Sequence, residues 1–181
     1  DAAPAWVDNA FGGHVGFELA VQPGVISSLV AISAPPETIP PALRRQILLL
    51  RPILRMFGPV GPVRAAILSG MVTDAAARDS ELRALISASL ARPTRQSLTT
   101  ALDSFILDRH DVTDHLSRIV VPALYLSGDD RGDWSPADAE RAAARTPRAT
   151  AVVIPGSRTL LPLEQPTAVA NALHEFWAGL R

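Results

Sequence analysis

Three short runs of apolar, β-branched residues stand out along the chain: ISSLVAIS at Ile26 to Ser33, IVVPALYLS at Ile119 to Ser127, and ATAVVI at Ala149 to Ile154. Each is too short for a helix and apolar on both alternating sets of positions. That pattern predicts strands buried on both faces of a parallel sheet. Pro122 makes the first half of the second run irregular. A fourth, shorter strand signal lies at Trp6 and Val7, with Asp1 to Ala5 read as loop. It runs at once into AFGGHVGFELAV, where Phe11, Val15 and Leu19 recur every four residues as one face of a helix. Two residues are too few for a central strand.

Between the first and second long strands the period changes to that of helices. Leu43, Ile47, Leu50, Ile53, Leu54 and Phe57 form one stripe, with Pro52 inside it expected to kink or split the helix. Val63 to Met71 is a further apolar segment. Asp79 to Leu90 places Leu82, Leu85, Ile86 and Leu90 inward, and Ser97 to Leu107 does the same with Leu98, Leu102, Phe105 and Ile106. Asp108 to Ser117 reads as a polar connection. After the second long strand, Ser135, Pro136 and Asp138 supply a serine cap, a first-position proline and an acid three residues after the cap. Pro166 opens a last helix whose stripe is Val169, Leu173, Phe176, Trp177 and Leu180.

The fold class expected is therefore α/β, a parallel sheet covered by helices with an all-helical insertion. Residues 1–34 and 116–181 form the core, and residues 35–115 form a cap or lid. Insertions of this kind commonly sit over the carboxyl ends of the strands, where open α/β sheets bind ligands.

Composition narrows the function classes. With 48% hydrophobic and 19% charged residues and a formal net charge of -1, a disordered linker and a basic nucleic-acid arm are both excluded. The 16 prolines are scattered without a period. Cysteine is absent, which removes disulfides, thiolate chemistry and cysteine-held zinc. No apolar run reaches membrane-spanning length. The expectation is a cytoplasmic protein with no membrane or nucleic-acid partner. Asp108, His110, Asp111, Asp114 and His115 could be drawn as a metal cluster, but HDVTDH has no established ligand spacing and reads as a solvated connection. Arg44, Arg45, Arg51 and Arg55 are expected as a surface patch opposite the apolar stripe of their helix.

WVDNAFGGHVGFELAV resembles the nucleophile elbow and following helix of the α/β-hydrolases. VPALYLSGDD and IPGSRTLLPLEQP resemble that family's later acid and histidine segments, in the right order. The resemblance covers essentially the whole chain and matches the back half of the fold, from the end of its fifth strand to its last helix. Laid on this chain, the elbow pattern puts Asp8 at the first small position, Ala10 at the nucleophile and Phe11, Gly12 and Gly13 after it. Ala10 has no nucleophilic atom. A shifted elbow centred on His14 would lie inside the helix. The histidine position falls on Thr159, preceded by Arg158, and a hydroxyl is no general base. The acid position falls among Asp129, Asp130 and Asp133, with a strict count nearer Arg131.

The resemblance thus implies a hydrolase-like protein whose Ser-His-Asp triad is degenerate. Its pocket would hold Ala10, Phe11, Asp130 or Asp133, Arg131, Arg158 and Thr159, and the Phe11 backbone N–H would remain as half an oxyanion hole. No metal and no cofactor are implied. The family's earlier strands would have to come from a second polypeptide, as a cleaved fragment, a further segment of the same chain or a separate subunit. Three readings follow: a pseudoenzyme subunit that binds a small apolar ligand, an enzyme acting on a small apolar ester or lactone by a non-triad mechanism or with partner-supplied residues, and an ordinary hydrolase with alanine in place of an encoded serine.

Overall fold

The structure is a computed structural model that describes residues 3–180. In chain order the elements are β1 (Ala5–Asn9), α1 (Phe11–Ala20), β2 (Ser28–Ile32), α2 (Pro41–Phe57), α3 (Gly61–Met71), α4 (Ser80–Ala91), α5 (Arg95–Leu102), β3 (Ala123–Gly128), α6 (Pro136–Arg145), β4 (Ala149–Ile154), α7 (Leu161–Glu164) and α8 (Pro166–Ala178). The chain divides into two compact units, one of Asp1–Glu37 with Asp111–Arg181 and one of Thr38–His110.

The first unit is built on a four-stranded sheet in the order β1-β2-β3-β4, every pair parallel. All residues of β2 and β3 are buried. Their side chains alternate between two apolar clusters, as the pleat requires. Leu29, Ala31 and Tyr125 face one side, with Phe17 of α1 and Ala139 and Ala142 of α6. Val30, Ile32, Leu124 and Leu126 face the other, with Val169 of α8. The expected α/β class, a parallel sheet with helices on both faces, is the observed one. Strand β3 starts directly after Pro122, which lacks the N–H a ladder needs.

Strand β1 corrects the sequence reading. It has five residues rather than two, because Ala5 to Asn9 pair in register with Ser28 to Ile32. Ala5 is strand, not loop, and residues 1 and 2 of that expected loop lie outside the described residues. Helix α1 corrects it again. Its buried face is Gly13, His14, Gly16, Phe17 and Ala20, not Phe11, Val15 and Leu19. The cause is close approach. A Cβ at Gly16 would lie 2.5 Å from Leu29 Cδ1, and one at Gly13 2.6 Å from Ala34 Cβ. Helix α6 starts as the sequence indicates, with the Ser135 hydroxyl accepting from the Asp138 N–H at 3.2 Å.

The second unit contains α2 to α5. Helix α2 runs unbroken through Pro52. The expected inward stripes hold only in part. Leu54 of α2 and Ile86 of α4 are buried, whereas Phe57, Leu85, Phe105 and Ile106 are exposed. A π-helical turn at Asp103–Leu107 follows α5 and shifts the helical phase, burying Leu107 instead of Phe105 and Ile106. Of the α2 arginines, Arg44, Arg45 and Arg55 are exposed as expected and Arg51 is half-buried. Arg51 forms a two-pronged pair with Asp103 at 2.7 and 2.6 Å, and Arg44 donates to the Leu107 carbonyl. The connection after this unit is less polar than expected, since Val112 and Leu116 are both buried.

Candidate functional site

Among the described residues two non-glycine residues take positive φ, and both terminate parallel strands. Ala10 follows β1 with φ 54° and ψ -116°, and Ser33 follows β2 with φ 45°. Such conformations cost on the order of 1–3 kcal/mol and persist only where the surroundings over-determine them. At Ala10 the determinants are visible. Its N–H continues the ladder to the Ile32 carbonyl at 2.8 Å, while its own carbonyl already accepts from the His14 N–H at 3.2 Å. One residue therefore has to end a strand and begin a helix. Gly12 leaves the room this needs, because a Cβ there would fall 2.0 Å from the Asp8 carboxyl carbon. Ala10 supplies no side-chain cap to α1, and the first turn of that helix holds no acid.

The last loop comes to the same place. Asn9 donates through its amide nitrogen to the Ile32 carbonyl at 2.7 Å and to the Thr159 carbonyl at 3.0 Å. Ser33 donates to the Arg158 carbonyl at 3.4 Å. The ends of β1 and β2 are thus joined to residues 158–159. The end of β3 is joined too. The Asp130 N–H donates to the Ser157 carbonyl at 3.1 Å, and a Cβ at Gly128 would meet that same carbonyl oxygen at 2.2 Å. Ala10, Asp130, Arg158 and Thr159 accordingly belong to one cluster of strand ends and loops.

Within the cluster the charges are already committed. Arg158 is 1% exposed, and its guanidinium donates to Asp130 Oδ2 at 2.7 Å. Its backbone N–H donates to Glu164 Oε2 at 2.9 Å. The Asp130 carboxyl is held below its ordinary value, first by the Arg131 backbone N–H at 2.6 Å and then by Arg158. Asp129 accepts from the Gly156 N–H at 2.8 Å and so ties the two loops together. Arg131, expected in the pocket, keeps a side chain that is 74% exposed, and Asp133 is exposed as well. Among the described residues no group of three His, Asp or Glu side chains is placed to hold a metal.

Sequence reasoning missed Asn9, Ser33 and Glu164. Asn9 stands beside the expected nucleophile position, where an amide can reach two backbone carbonyls. Ser33 and Glu164 carry no signal of their own, since their importance lies in a positive φ and a backbone contact.

Comparison with known proteins places this geometry. The sequence model of the alpha/beta hydrolase family matches residues 9–172. A pimeloyl-(acyl-carrier protein) methyl ester esterase of Xanthomonas campestris pv. campestris is 29% identical over 98% of this chain and 72% of its own length. Among solved structures, a thermophilic esterase from Thermogutta terrifontis superposes with a TM-score of 0.84 at 22% identity, over 98% of this chain and 65% of that one. The enol-lactonase from Burkholderia xenovorans LB400 gives 0.84 at 19% identity, over 98% and 66%. The chain therefore spans about two thirds of the length of these structural neighbours. Among the described residues no helix is long and apolar enough to cross a membrane.

Proposed function

The chain belongs to the alpha/beta hydrolase family, and from that premise we propose that it is a member without triad catalysis, a pseudoenzyme subunit whose elbow site binds a small apolar ligand. The observation that carries this reading is the chemistry at the strand ends. The strained elbow is kept at Ala10, yet the side chain at its apex is a methyl group. The acid best placed to orient a histidine, Asp130, is instead paired with the buried Arg158. Thr159, at the histidine position, has no ring nitrogen to accept a proton. The Phe11 backbone N–H at the start of α1 remains a donor type suited to a ligand carbonyl.

Catalysis by such a triad needs a nucleophile and a base within hydrogen-bond reach of each other. Restoring the nucleophile alone therefore gives nothing. Ala10→Ser is expected to hydrolyse p-nitrophenyl butyrate no faster than buffer, while keeping the fold. Appreciable turnover by that single variant would overturn the pseudoenzyme reading.

A second reading is favoured by one finding, the 29% identity to an esterase along nearly the whole chain. In it the protein acts on a small ester or lactone by a non-triad route, or with residues from another polypeptide. Turnover by the wild-type assembly that survives Ala10→Gly would select it.

Both readings include a second polypeptide segment. The outer edge of β1 carries no paired strand among the described residues, and β1 is largely exposed. An open parallel edge is a template for a further strand, and the structural neighbours are longer than this chain. We expect that segment to add to β1 in parallel. Native mass spectrometry of the purified assembly, followed by denaturing mass and peptide sequencing, identifies it. A folded assembly of this chain alone, with β1 amides exchanging freely, would remove the added strand from the account.

A further inference from the structure

A concave site lies wholly inside the helical unit, made by the turn between α2 and α3, the end of α4 and the start of α5. It has a volume of about 320 Å³, within the range of small-molecule sites. Phe57, Val60, Leu90 and Leu98 give it an apolar wall. Phe57 and Val60 are 61% and 48% exposed, an uncommon placement for two neighbouring large apolar side chains on a turn.

Two arginines complete the lining, and neither has a carboxylate partner among the described residues. Arg95 donates through Nη1 to the Met56 carbonyl at 2.6 Å, and its methylenes lie against Gly58. Arg64 donates through Nη2 to the Ser87 hydroxyl, which itself donates to the Arg83 carbonyl at 2.6 Å. Each guanidinium has five N–H groups and is held by one neutral acceptor, so each is positioned with donor capacity left over. The surrounding unit carries ten arginines against five acids, so its field favours an anion.

We propose that this pocket binds a carboxylic acid with an apolar tail, its carboxylate forked between Arg64 and Arg95 and its tail against Phe57, Val60, Leu90 and Leu98. A planar guanidinium matches a carboxylate with two parallel hydrogen bonds, stronger than neutral ones. The apolar wall rejects a bare inorganic anion, which has nothing to bury there. The site is lined by residues of the helical unit alone and stands whether or not the elbow turns over an ester.

The test uses the purified assembly with octanoate, octan-1-ol and inorganic phosphate, followed by amide chemical-shift mapping and calorimetry. Octanoate is expected to shift Gly58, Val60, Ser87 and Leu98. It should bind about tenfold or more tightly than either octan-1-ol or phosphate, as expected for a charge-assisted contact combined with apolar burial. Arg64→Gln and Arg95→Gln should each weaken octanoate about tenfold, and Arg45→Gln, an exposed arginine outside the lining, should leave it unchanged. Arg64→Lys should recover only part of the affinity, because the fork is lost. Equal binding of octan-1-ol or phosphate overturns the proposal. So does unchanged affinity in Arg64→Gln, or shifts confined to Phe11, Gly12 and Ser157 at the elbow.

Discussion

The two units of this chain use side chains in opposite ways. In the sheet unit every residue of β2 and β3 is buried, and Gly13, Gly16 and Gly128 have no room for a Cβ. In the helical unit, α2 has 17 residues but only Leu54 is buried, while Leu49 is 77% exposed. The sheet unit therefore fixes positions by packing, and the helical unit relies more on polar ties such as Arg51 to Asp103. Close-packed interiors are intolerant of small volume changes, whereas half-buried helix surfaces are not. The difference explains why the elbow has defined geometry and why the pocket of the helical unit is open and apolar at its rim.

The sharpest way to break this contrast is a methyl group. Gly128→Ala would put a Cβ 2.2 Å from the Ser157 carbonyl oxygen and 2.8 Å from that of Arg158, both backbone atoms. The loss expected is about 4 kcal/mol or more, read as a lower midpoint in urea. The same substitution at Gly70 in α3 meets nothing within 4 Å. A small loss at Gly128 would mean that the loop after β4 is not tightly seated.

The ion pairs rank next. Asp130→Asn removes the carboxylate 2.7 Å from the buried Arg158 guanidinium and should cost about 3 kcal/mol, the low end for a broken buried pair because Asp130 is itself 31% exposed. Asp103→Asn, on the helical unit, removes a pair whose side chains are 35% and 28% exposed. It should lower the midpoint far less, and salt should erase the difference. Acid weakens both pairs in the same direction, because Arg51 holds the Asp103 carboxyl below its ordinary value just as the Arg131 N–H and Arg158 hold that of Asp130. The folded Asp130 carboxyl lies below its unfolded value near ~4. Its contribution is complete above that value and drains away as pH falls through the folded value. Wild type should thus lose part of its margin over Asp130→Asn below about pH 4.

Smaller effects carry the opposite sign. Ala10→Gly should stabilise by about 1 kcal/mol, because glycine accepts φ 54° without penalty. Gly70→Ala should stabilise by about 0.5 kcal/mol through helix propensity and a less flexible unfolded chain. Thermal melts of both variants, set against wild type, decide whether the elbow is strained and the helical surface merely loose.

The sequence was most legible where burial was total. ISSLVAIS and IVVPALYLS announce β2 and β3 because both of their faces are apolar and buried, whereas ATAVVI announces a strand that proves only partly buried, with Thr150 and Val152 exposed; Ser135 with Pro136 announces a helix start through chemistry local to the chain. It was less legible at edges. Asp8 and Asn9 belong to β1, but an exposed edge strand needs no apolar alternation. The buried face of α1 is invisible to hydrophobic periodicity, since glycine signals contact only once its neighbours are known. Stripes such as Leu82, Leu85 and Leu90 overstate burial in a unit whose helices cover little surface. Arg158 illustrates the converse at the site. Arginine usually stays in water, and the pairing with Asp130, sequence-distant by 28 residues, helps to offset its burial.

The Asn9 side chain has two amide hydrogens and two acceptors, the Ile32 carbonyl and the Thr159 carbonyl. One proton reports on the join between adjacent strands and the other on the seat of the final loop. The geminal pair of nitrogen-bound signals from this one side chain is consequently a built-in spectroscopic gauge. Unequal exchange of its two protons would tell, without any added probe, which of the two attachments opens first.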